Sequence, residues 1–421
     1  MIQTKHLLRS IAGLVLLMTT AEAFAQPDRL WQEKHYAIAD PSYKHSLWGG
    51  MGFTLQSNTI SNALFNEAIF TGVIDPATSA ELRSIATDSR ILLNAGFSGE
   101  LWYKHETEKG FSWLLGISAD ERALGNIPSG LAQLYFEGNA PFAGENVPLG
   151  PGRLDYWSYQ GLGFGMEWKR GGWQSGILLN LLKVGRYQSI RMGEDSYLFT
   201  EEFGQYIEAS VDVDWRTTST AQNKLAAWYG TGFQTDLYLN YAPEDAASSL
   251  SLQVIDLGIM HFGGLQRNTV NYDTLYEGIT VNDVLNAQAE LGQEEDLDSL
   301  EALIGLVRSN EGGARFLPGR IQVDYTHDFS SALSIAFQLQ QFFMSSPPQF
   351  RAGLAWRPSP AFALEPYLRV GGFSRFDYGL TGVLNLKQRF QCIIQYGMIE
   401  RQLAPTATTG QGLSARAVLH F

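Results

Sequence analysis

The charged side chains that could do chemistry in this sequence fall at alternate positions of its last third. Glu365 and Arg369 lie in one alternating run, Asp377 lies in the next, and Arg351 and Arg357 lie in the run before. Opposite charges on the inward faces of adjoining strands form ion pairs that close an interior, and in an open pore they set selectivity. We interpret them first as a structural ion-pair network, with selectivity as the alternative.

The familiar motifs of catalytic and cofactor sites are missing. There is no nucleophile elbow, zinc motif, phosphate loop or dinucleotide fingerprint. The glycines of 161–168 alternate without a following helix, so we interpret them as small residues on one strand face. His261, Asp256 and a serine could in principle form a triad, but the sequence does not show that they converge. With the single Cys392 and scattered histidines, we expect no enzyme, cofactor or metal site.

Composition and the first residues indicate export. Residues 1–25 combine Lys5 and Arg9 with the apolar run "IAGLVLLM" and the small-residue site "AFA", the pattern of a signal peptide. We expect a periplasmic segment at 26–45 and one domain at 46–421. The net charge of -13 argues against nucleic acid as a partner. No later stretch has 18 consecutive apolar residues, as a transmembrane helix requires.

The elements that must position these charges are strands. In "FDYGLTGVLNLK" (376–387), and in at least three further runs, apolar and polar residues alternate with period two. The runs are long, aromatic residues cluster near their ends, and their polar faces carry charges in mid-strand, such as Glu100, Glu167, Arg320 and Asp324. Only a closed barrel satisfies all backbone groups of such strands in lipid. We predict an all-β fold, a transmembrane antiparallel up-and-down β-barrel of 14–16 strands with short helices in long extracellular loops.

The strand count depends on one segment. We predict sixteen strands, at 47–58, 91–104, 109–120, 156–168, 172–186, 188–199, 206–216, 227–241, 249–262, 316–327, 332–343, 349–357, 361–373, 376–387, 389–399 and 412–421. If 172–190 is one strand, the number falls to fourteen or fifteen. Asp256 falls on the apolar face of its run, which indicates a bulge near residue 255.

The connections alternate in length. The short ones, which include 200–205, should lie in the periplasm, and 59–90, 121–155 and 263–315 should lie outside. We expect helices at 75–86, within 127–149 and within the acidic segment 283–308.

The chain ends in an alternating run that closes on an aromatic residue. Its apolar positions are Leu413, Ala415, Ala417, Leu419 and Phe421. This pattern resembles the C-terminal signal by which the barrel-assembly machinery recognises its clients. We therefore expect that machinery and outer-membrane lipid as partners, in a bacterial outer membrane.

A loop motif extends the resemblance. In "YFEGNAPFAGENVPLG", Gly138, Asn139, Pro141, Phe142 and Gly144 follow a short predicted helix and precede the aromatic strand "LDYWSYQGLGFGMEW". With "LLNLLKVG" and "FLPGRIQVDY" later, the order resembles an uncharacterised outer-membrane β-barrel family of Bacteroidota. It is similar in plan to fatty-acid-transporter-like barrels and to accessory barrels of type IX secretion. The resemblance implies an outer-membrane location and no assigned activity. From its residues the loop is either a plug or the mouth for an apolar ligand.

Two functions fit these expectations almost equally. A transport barrel for a small or hydrophobic solute requires an accessible lumen. A non-transporting accessory barrel, which docks an envelope partner protein in secretion or envelope assembly, would have a filled one. Bulky residues expected inside the barrel indicate filling; they are Trp102, Leu178, Leu182, Phe342 and Tyr367.

Overall fold

The computed structural model describes residues 43–67, 75, 78, 80, 83–107, 109–203, 206–218, 227–243, 246–276, 305–343, 346–386, 389–397 and 410–421. Its strands are β1 (His45–Ser57), β2 (Arg90–Glu106), β3 (Phe111–Pro128), β4 (Asn146–Pro148), β5 (Gly152–Arg170), β6 (Trp173–Met192), β7 (Tyr197–Thr200), β8 (Ile207–Thr217), β9 (Gly230–Tyr241), β10 (Ser248–Tyr276), β11 (Val307–Phe316), β12 (Arg320–Asp328), β13 (Leu333–Phe342), β14 (Gln349–Ser359), β15 (Phe362–Gly371), β16 (Phe376–Leu386), β17 (Phe390–Gly397) and β18 (Gly410–His420).

Fourteen of these strands close into an antiparallel barrel. The ring order is β1, β2, β3, β5, β6, β9, β10, then β12 to β18 in sequence. The last strand pairs with the first from Ser46 opposite His420 to Gln56 opposite Gly410, so the ring has no open edge. The predicted all-β barrel is confirmed, with fourteen strands.

The list of sixteen strands is wrong at two places. Residues 173–192 form the single strand β6, so 188–199 is not a separate wall strand. The segment predicted at 206–216 is β8, which pairs with the far parts of β6 and β10 and lies outside the ring. The connection 200–205 therefore lies between β7 and β8, at the end opposite the short wall turns. Both errors arise because local alternation does not reveal which strand is the neighbour.

One side of the barrel continues beyond the wall as an extension, formed by β4, β7, β8, β11 and the second half of β10. After the register shift between Phe262 and Leu265, β10 pairs with β8 on one edge and β11 on the other. The prediction of a loop over 263–315 is therefore wrong for 263–276 and 307–315. Above the membrane neither face of a strand must be apolar, so the alternation that marks the wall strands is lost there.

The wall has the inside–outside pattern of a transmembrane barrel. Along β14 and β16 the outward positions, such as Phe350 and Leu384, are exposed, and the inward ones are buried. Exposed aromatic residues stand near both ends of the wall; they include Trp168, Trp173 and Trp356 at one end and Phe316, Phe343 and Phe376 at the other. The ten residues of β13, at about 3.3 Å each and a tilt near ~40°, span roughly 25 Å, which matches the apolar band of such barrels.

At one end of the barrel, here called the short-turn end, every wall connection is short. These connections join β2 to β3, β5 to β6, β9 to β10, β12 to β13, β14 to β15 and β16 to β17. Phe421 lies at this end beside His45. The opposite end, the long-loop end, carries the extension and two short helices.

The helices belong to the long-loop end. α1 (Asn62–Asn66) begins at Ser61, whose hydroxyl accepts a hydrogen bond from the backbone N–H of Leu64. α2 (Ser129–Glu137) lies within the predicted segment 127–149 and ends at Gly138. Of the predicted helix at 75–86, residues 75, 78, 80 and 83–86 are described, and Thr78, Ala80 and Arg83 are helical. The acidic segment 283–308 falls mostly outside the described residues, as do residues 1–25 and most of 26–45. Among the described residues, no helix is long and apolar enough to cross a bilayer.

The bulge expected near residue 255 is confirmed. The pairing of β10 with β9 shifts register between Val254 and Leu257, and Asp256 has a φ of 60°. The shift turns the Asp256 carboxylate inward, where it is 3 % exposed. A local irregularity of the wall thus delivers an acidic group to the interior.

Candidate functional site

An apolar cluster, here called the apolar layer, crosses the lumen towards the long-loop end. It joins side chains of β2, β3, β5, β6, β10 and β13 with Leu317 and Phe373 of two connections. β2 and β13 stand seven places apart in the ring of fourteen, so the layer connects opposite walls. Phe342 packs edge-on against Phe373 at 5.4 Å, and Tyr187 lies 5.1 Å from Phe262. Wall side chains therefore fill the lumen at this level.

The bulky residues expected inside the barrel are all buried. Leu182 and Phe342 belong to the apolar layer, and Trp102 and Leu178 form a second cluster with Trp48, Leu114 and Val418. Trp102 is accommodated because glycines face it on the neighbouring strands: a Cβ at Gly116 or Gly163 would overlap its indole ring. The alternating glycines of 161–168 thus make room for large inward side chains.

The predicted charges of the last third form two ion pairs on the inner wall. Arg369 Nε donates to both Asp377 oxygens at 2.9 and 3.0 Å, and Ser374 Oγ donates to Asp377 Oδ2. Arg351 Nη2 donates to Glu365 Oε1 at 2.8 Å. Glu365 and Asp377 are 0 % and 1 % exposed. A buried carboxylate of this kind is tolerated only when it is paired.

Arg357 has a different position. Its Nη1 donates to Asp328 Oδ1 at 3.3 Å, and half of the Asp328 side chain is exposed at the short-turn end. The structure thus separates Arg357 from the other two predicted arginines. Its pair with Asp328 belongs to the rim of the barrel.

A further network bridges the lumen and was not predicted from the sequence. Arg122 of β3 and Arg320 of β12 approach the same oxygen of Asp256, at 3.8 and 3.9 Å. Gln234 Nε2 donates to the other Asp256 oxygen at 2.6 Å. The sequence shows Arg320 as a charge in mid-strand and Asp256 as a charge on the apolar face of its run. It does not show that both lie close to Arg122, because the three residues belong to strands far apart in the sequence.

These networks surround one cavity in the middle of the lumen, here called the arginine chamber. Its volume is about 90 Å³, and four guanidinium groups line it, those of Arg122, Arg320, Arg351 and Arg369. The remaining lining is mostly amide and hydroxyl groups, and within the described part of the chain no carboxylate lines it.

Tyr367 organises one side of the arginine chamber. Arg351 stacks on its ring at 3.9 Å and Arg369 lies at 5.8 Å from the ring centre. Gln395 Nε2 donates to its hydroxyl at 3.1 Å. A planar guanidinium stacks well on an aromatic face, which fixes the direction in which its N–H groups point.

A third charged group lies closer to the short-turn end. Lys104 Nζ donates to Glu167 Oε1 at 2.6 Å, and the hydroxyl of Tyr238 donates to Glu167 Oε2 at 2.6 Å. β2, β5 and β9 supply these residues, so the contacts cross intervening strands. Polar, paired side chains thus occupy the lumen both at the centre and below it.

The predicted loop residues lie at the long-loop end against β7. Gly138 and Gly144 have φ of 77° and 83°, the left-handed region that favours glycine. Asn139 Nδ2 donates to Thr200 Oγ1 at 3.1 Å, and the Gly144 N–H donates to the Thr200 carbonyl at 2.7 Å. Pro141 and the buried Phe142 border an open groove of about 990 Å³. The loop is thus hydrogen-bonded to β7 of the extension, and two of its apolar residues border the groove.

The predicted assembly signal lies on the outward face of β18. Leu413, Ala415, Ala417 and Leu419 occupy its outward positions, paired with β1 and β17. The Phe421 N–H donates to the carbonyl of His45 at 3.0 Å, and the two rings stack at 5.6 Å. The side chain of Phe421 is about half exposed, so it is accessible at the short-turn end.

The extension is held by its own ion pairs. Arg216 and Arg267 each donate two hydrogen bonds to Asp214, and Glu311 joins Arg216 to Arg315. Burial alone would raise the pKa of the Asp214 carboxyl, but the hydrogen bonds from Arg267 and Arg216 outweigh it and hold the pKa below its usual value. The pairs between β8, β10 and β11 therefore persist at neutral pH.

Comparison with known proteins adds a family. The model of a family of unknown function (DUF5723) matches residues 37–394. The expected resemblance to a barrel family without an assigned activity is thereby confirmed. No curated protein matches the sequence.

Solved structures show distant likenesses. The toluene transporter TbuX of Ralstonia pickettii is 8% identical with a TM-score of 0.46, over 90% of this chain and 89% of that one. A Pseudomonas aeruginosa FadL homologue is 8% identical with a TM-score of 0.47, over 95% and 100%. The translocator domain of the autotransporter NalP from Neisseria meningitidis is 7% identical with a TM-score of 0.35, over 93% of both. Likeness at this distance assigns no substrate to this chain.

Proposed function

The chain belongs to a family of unknown function (DUF5723), and we propose that it is a transport barrel of the bacterial outer membrane whose lumen is closed at rest. The extension and the long loops would face outwards and the short turns would face the periplasm. The solute would be small, and its path would run through the centre of the lumen.

The arginine chamber is the observation that carries this proposal. A barrel used only as a scaffold can fill its interior with apolar side chains, whereas here charged and amide groups from many strands point at one central cavity. Below the chamber, the pair of Lys104 and Glu167 lies beside the second apolar cluster, which contains Trp102. Above the chamber, the apolar layer interrupts the path and would form the closed gate. Phe342 belongs to both, because it packs in the layer and lines the chamber.

Conductance of the purified barrel in planar bilayers tests the proposal. We expect wild-type protein to pass little current and Phe342→Ala to pass several times more, because the substitution removes an aromatic ring from the layer. Phe350→Ala is the matched control: Phe350 is a phenylalanine of the neighbouring strand that faces outwards and is about half exposed. It should behave as wild type.

Two outcomes would contradict the proposal. A wide, steady wild-type pore would show that the lumen is not closed at rest. If the Phe342→Ala and Phe350→Ala variants both fold and both pass as little current as wild type, the layer is not a gate.

A docking barrel is the second candidate, and the extension favours it. β8, β10 and β11 rise beyond the membrane band and expose the apolar side chains of Leu275 and Val307, at 54 % and 61 %. A photo-crosslinker placed at Leu275 in cells should then capture a stoichiometric envelope protein. A crosslinker at the outward-facing Leu384 of the wall is the control.

A further inference from the structure

The arginine chamber has the composition of an anion site, and we propose that it binds one small oxyanion of the phosphate or sulfate type. The inference rests on the proposed function, since it names the class of solute that the lumen would take. It depends on the positions of four arginines, on the positions of their carboxylate partners and on the remaining lining.

The four arginines come from different strands and are withdrawn from bulk water. Arg122 comes from β3, Arg320 from β12, Arg351 from β14 and Arg369 from β15. Arg122, Arg320 and Arg351 are only 3–5 % exposed. A guanidinium presents five N–H donors in a rigid fork that matches the oxygens of a phosphate or carboxylate. Placed around a common cavity, these groups form a ready set of donors for a tetrahedral oxyanion.

The carboxylates are placed as an anion site needs them. Asp120, Asp256, Glu365 and Asp377 pair with the four arginines, and none of these carboxylates lines the cavity. An ion-pair network whose only role is to close the lumen would place both signs of charge at its centre. Here no carboxylate lines the cavity within the described part of the chain, so guanidinium groups rather than carboxylate oxygens surround it.

The rest of the lining is mostly polar, and the cavity is small. Side-chain amides of Asn94, Gln338 and Gln395 and the hydroxyl of Ser414 border the cavity. Its volume of about 90 Å³ equals roughly three water molecules at their liquid volume of about 30 Å³ each. That space suits an inorganic oxyanion and is too small for a sugar or a long acyl chain.

Equilibrium binding tests the site without requiring passage. Titration calorimetry of the detergent-solubilised full-length barrel with inorganic phosphate, in a chloride buffer, should show one saturable site. Sulfate should compete for it. The double variant Arg351→Gln/Glu365→Gln removes a chamber arginine together with its partner, so no buried charge is left unpaired, and it should weaken phosphate binding at least tenfold. Arg357→Gln/Asp328→Asn, the same exchange at the rim pair, should leave the affinity unchanged.

A second variant moves the affinity in the other direction. Asp377→Asn keeps an oxygen that accepts the hydrogen bond from Arg369 but removes a negative charge behind the chamber. Phosphate should then bind several times more tightly, a result that a purely structural ion-pair network does not produce.

The two proposals fail in different ways. Phosphate that does not bind saturably, or that binds equally well to wild type and the Arg351→Gln/Glu365→Gln variant, would overturn the anion site. If phosphate binds saturably but neither wild type nor the Phe342→Ala variant passes current, the anion site stands and the transport function is rejected.

Discussion

At the scale of single residues, the interior depends on glycines that leave room for large neighbours. Gly163 faces Trp102 and Asn180, and a Cβ there would overlap the indole ring. Gly163→Ala should therefore destabilise the barrel by about 1–3 kcal/mol, the usual cost of overfilling a packed core. The midpoint of urea unfolding in detergent micelles, followed by tryptophan fluorescence, measures this change.

Gly263 provides the control for Gly163. Its φ lies outside the left-handed region that favours glycine, and a Cβ there would meet nothing within 4 Å. Gly263→Ala should unfold as wild type does. If both variants unfold at the wild-type midpoint, Trp102 has space to move and the fit between ring and glycine is not a source of stability.

The sequence indicates which residues carry the interior charges better than it indicates which of them pair with one another. The charges Glu365, Arg369 and Asp377 stand out in the sequence because each lies on the polar face of an alternating run. Arg122 was missed because β3 extends past residue 120, where the predicted strand ended. Its approach to Asp256 depends on barrel curvature and on a bulge in a strand four ring positions away. Neither is encoded by local spacing.

At the scale of elements, the last strand is the one on which assembly should depend. We propose that β18 carries the signal read by the barrel-assembly machinery and that Phe421 is its terminal group. Phe421→Ala should lower the amount of folded barrel in cell envelopes several-fold, because recognition precedes folding. The same variant should refold in detergent with wild-type yield, because Phe421 is half exposed and packs only at the rim.

Phe390 is the matched control for Phe421. It begins β17, pairs with Leu419 and is exposed at the same rim. Phe390→Ala should assemble normally in cells. Equal loss of both variants would mean that any rim aromatic is required, and unchanged assembly of Phe421→Ala would remove it from the signal.

The strands of the wall could be predicted, whereas in the extension only β8 was predicted as a strand, and it was assigned to the wall. Each wall strand separates lipid from a polar lumen, so its sequence must alternate, and that alternation predicted all fourteen. β11 and the second half of β10 lie outside the ring of the barrel, so their faces need not alternate, and segments such as "GGLQRNTVNYDTLY" lack the signal. The pairing of β8 with β6 and β10 joins segments distant in the chain, which no local pattern reports.

At the scale of the whole molecule, the barrel is asymmetric. The strands from β2 to β10 hold up to 29 residues, whereas those from β12 to β18 hold 8–11, close to the number needed to cross a bilayer. Only the first half of the ring rises beyond the membrane band. The extension therefore rises on one side of the ring only, whereas the layer crosses the lumen and the chamber lies at its centre, so a solute or a partner that approaches the long-loop end meets the extension on one side.

This asymmetry predicts the orientation in the membrane. Ser309 is exposed in the extension and Ser330 is exposed in a short turn. In a Cys392→Ser background, an impermeant maleimide added to intact cells should label Ser309→Cys and spare Ser330→Cys, because long elements face outwards and short turns face the periplasm. Both cysteines should react once the outer membrane is permeabilised. Labelling of Ser330→Cys alone in intact cells would reverse the orientation, and the apolar layer would then close the periplasmic end of the path.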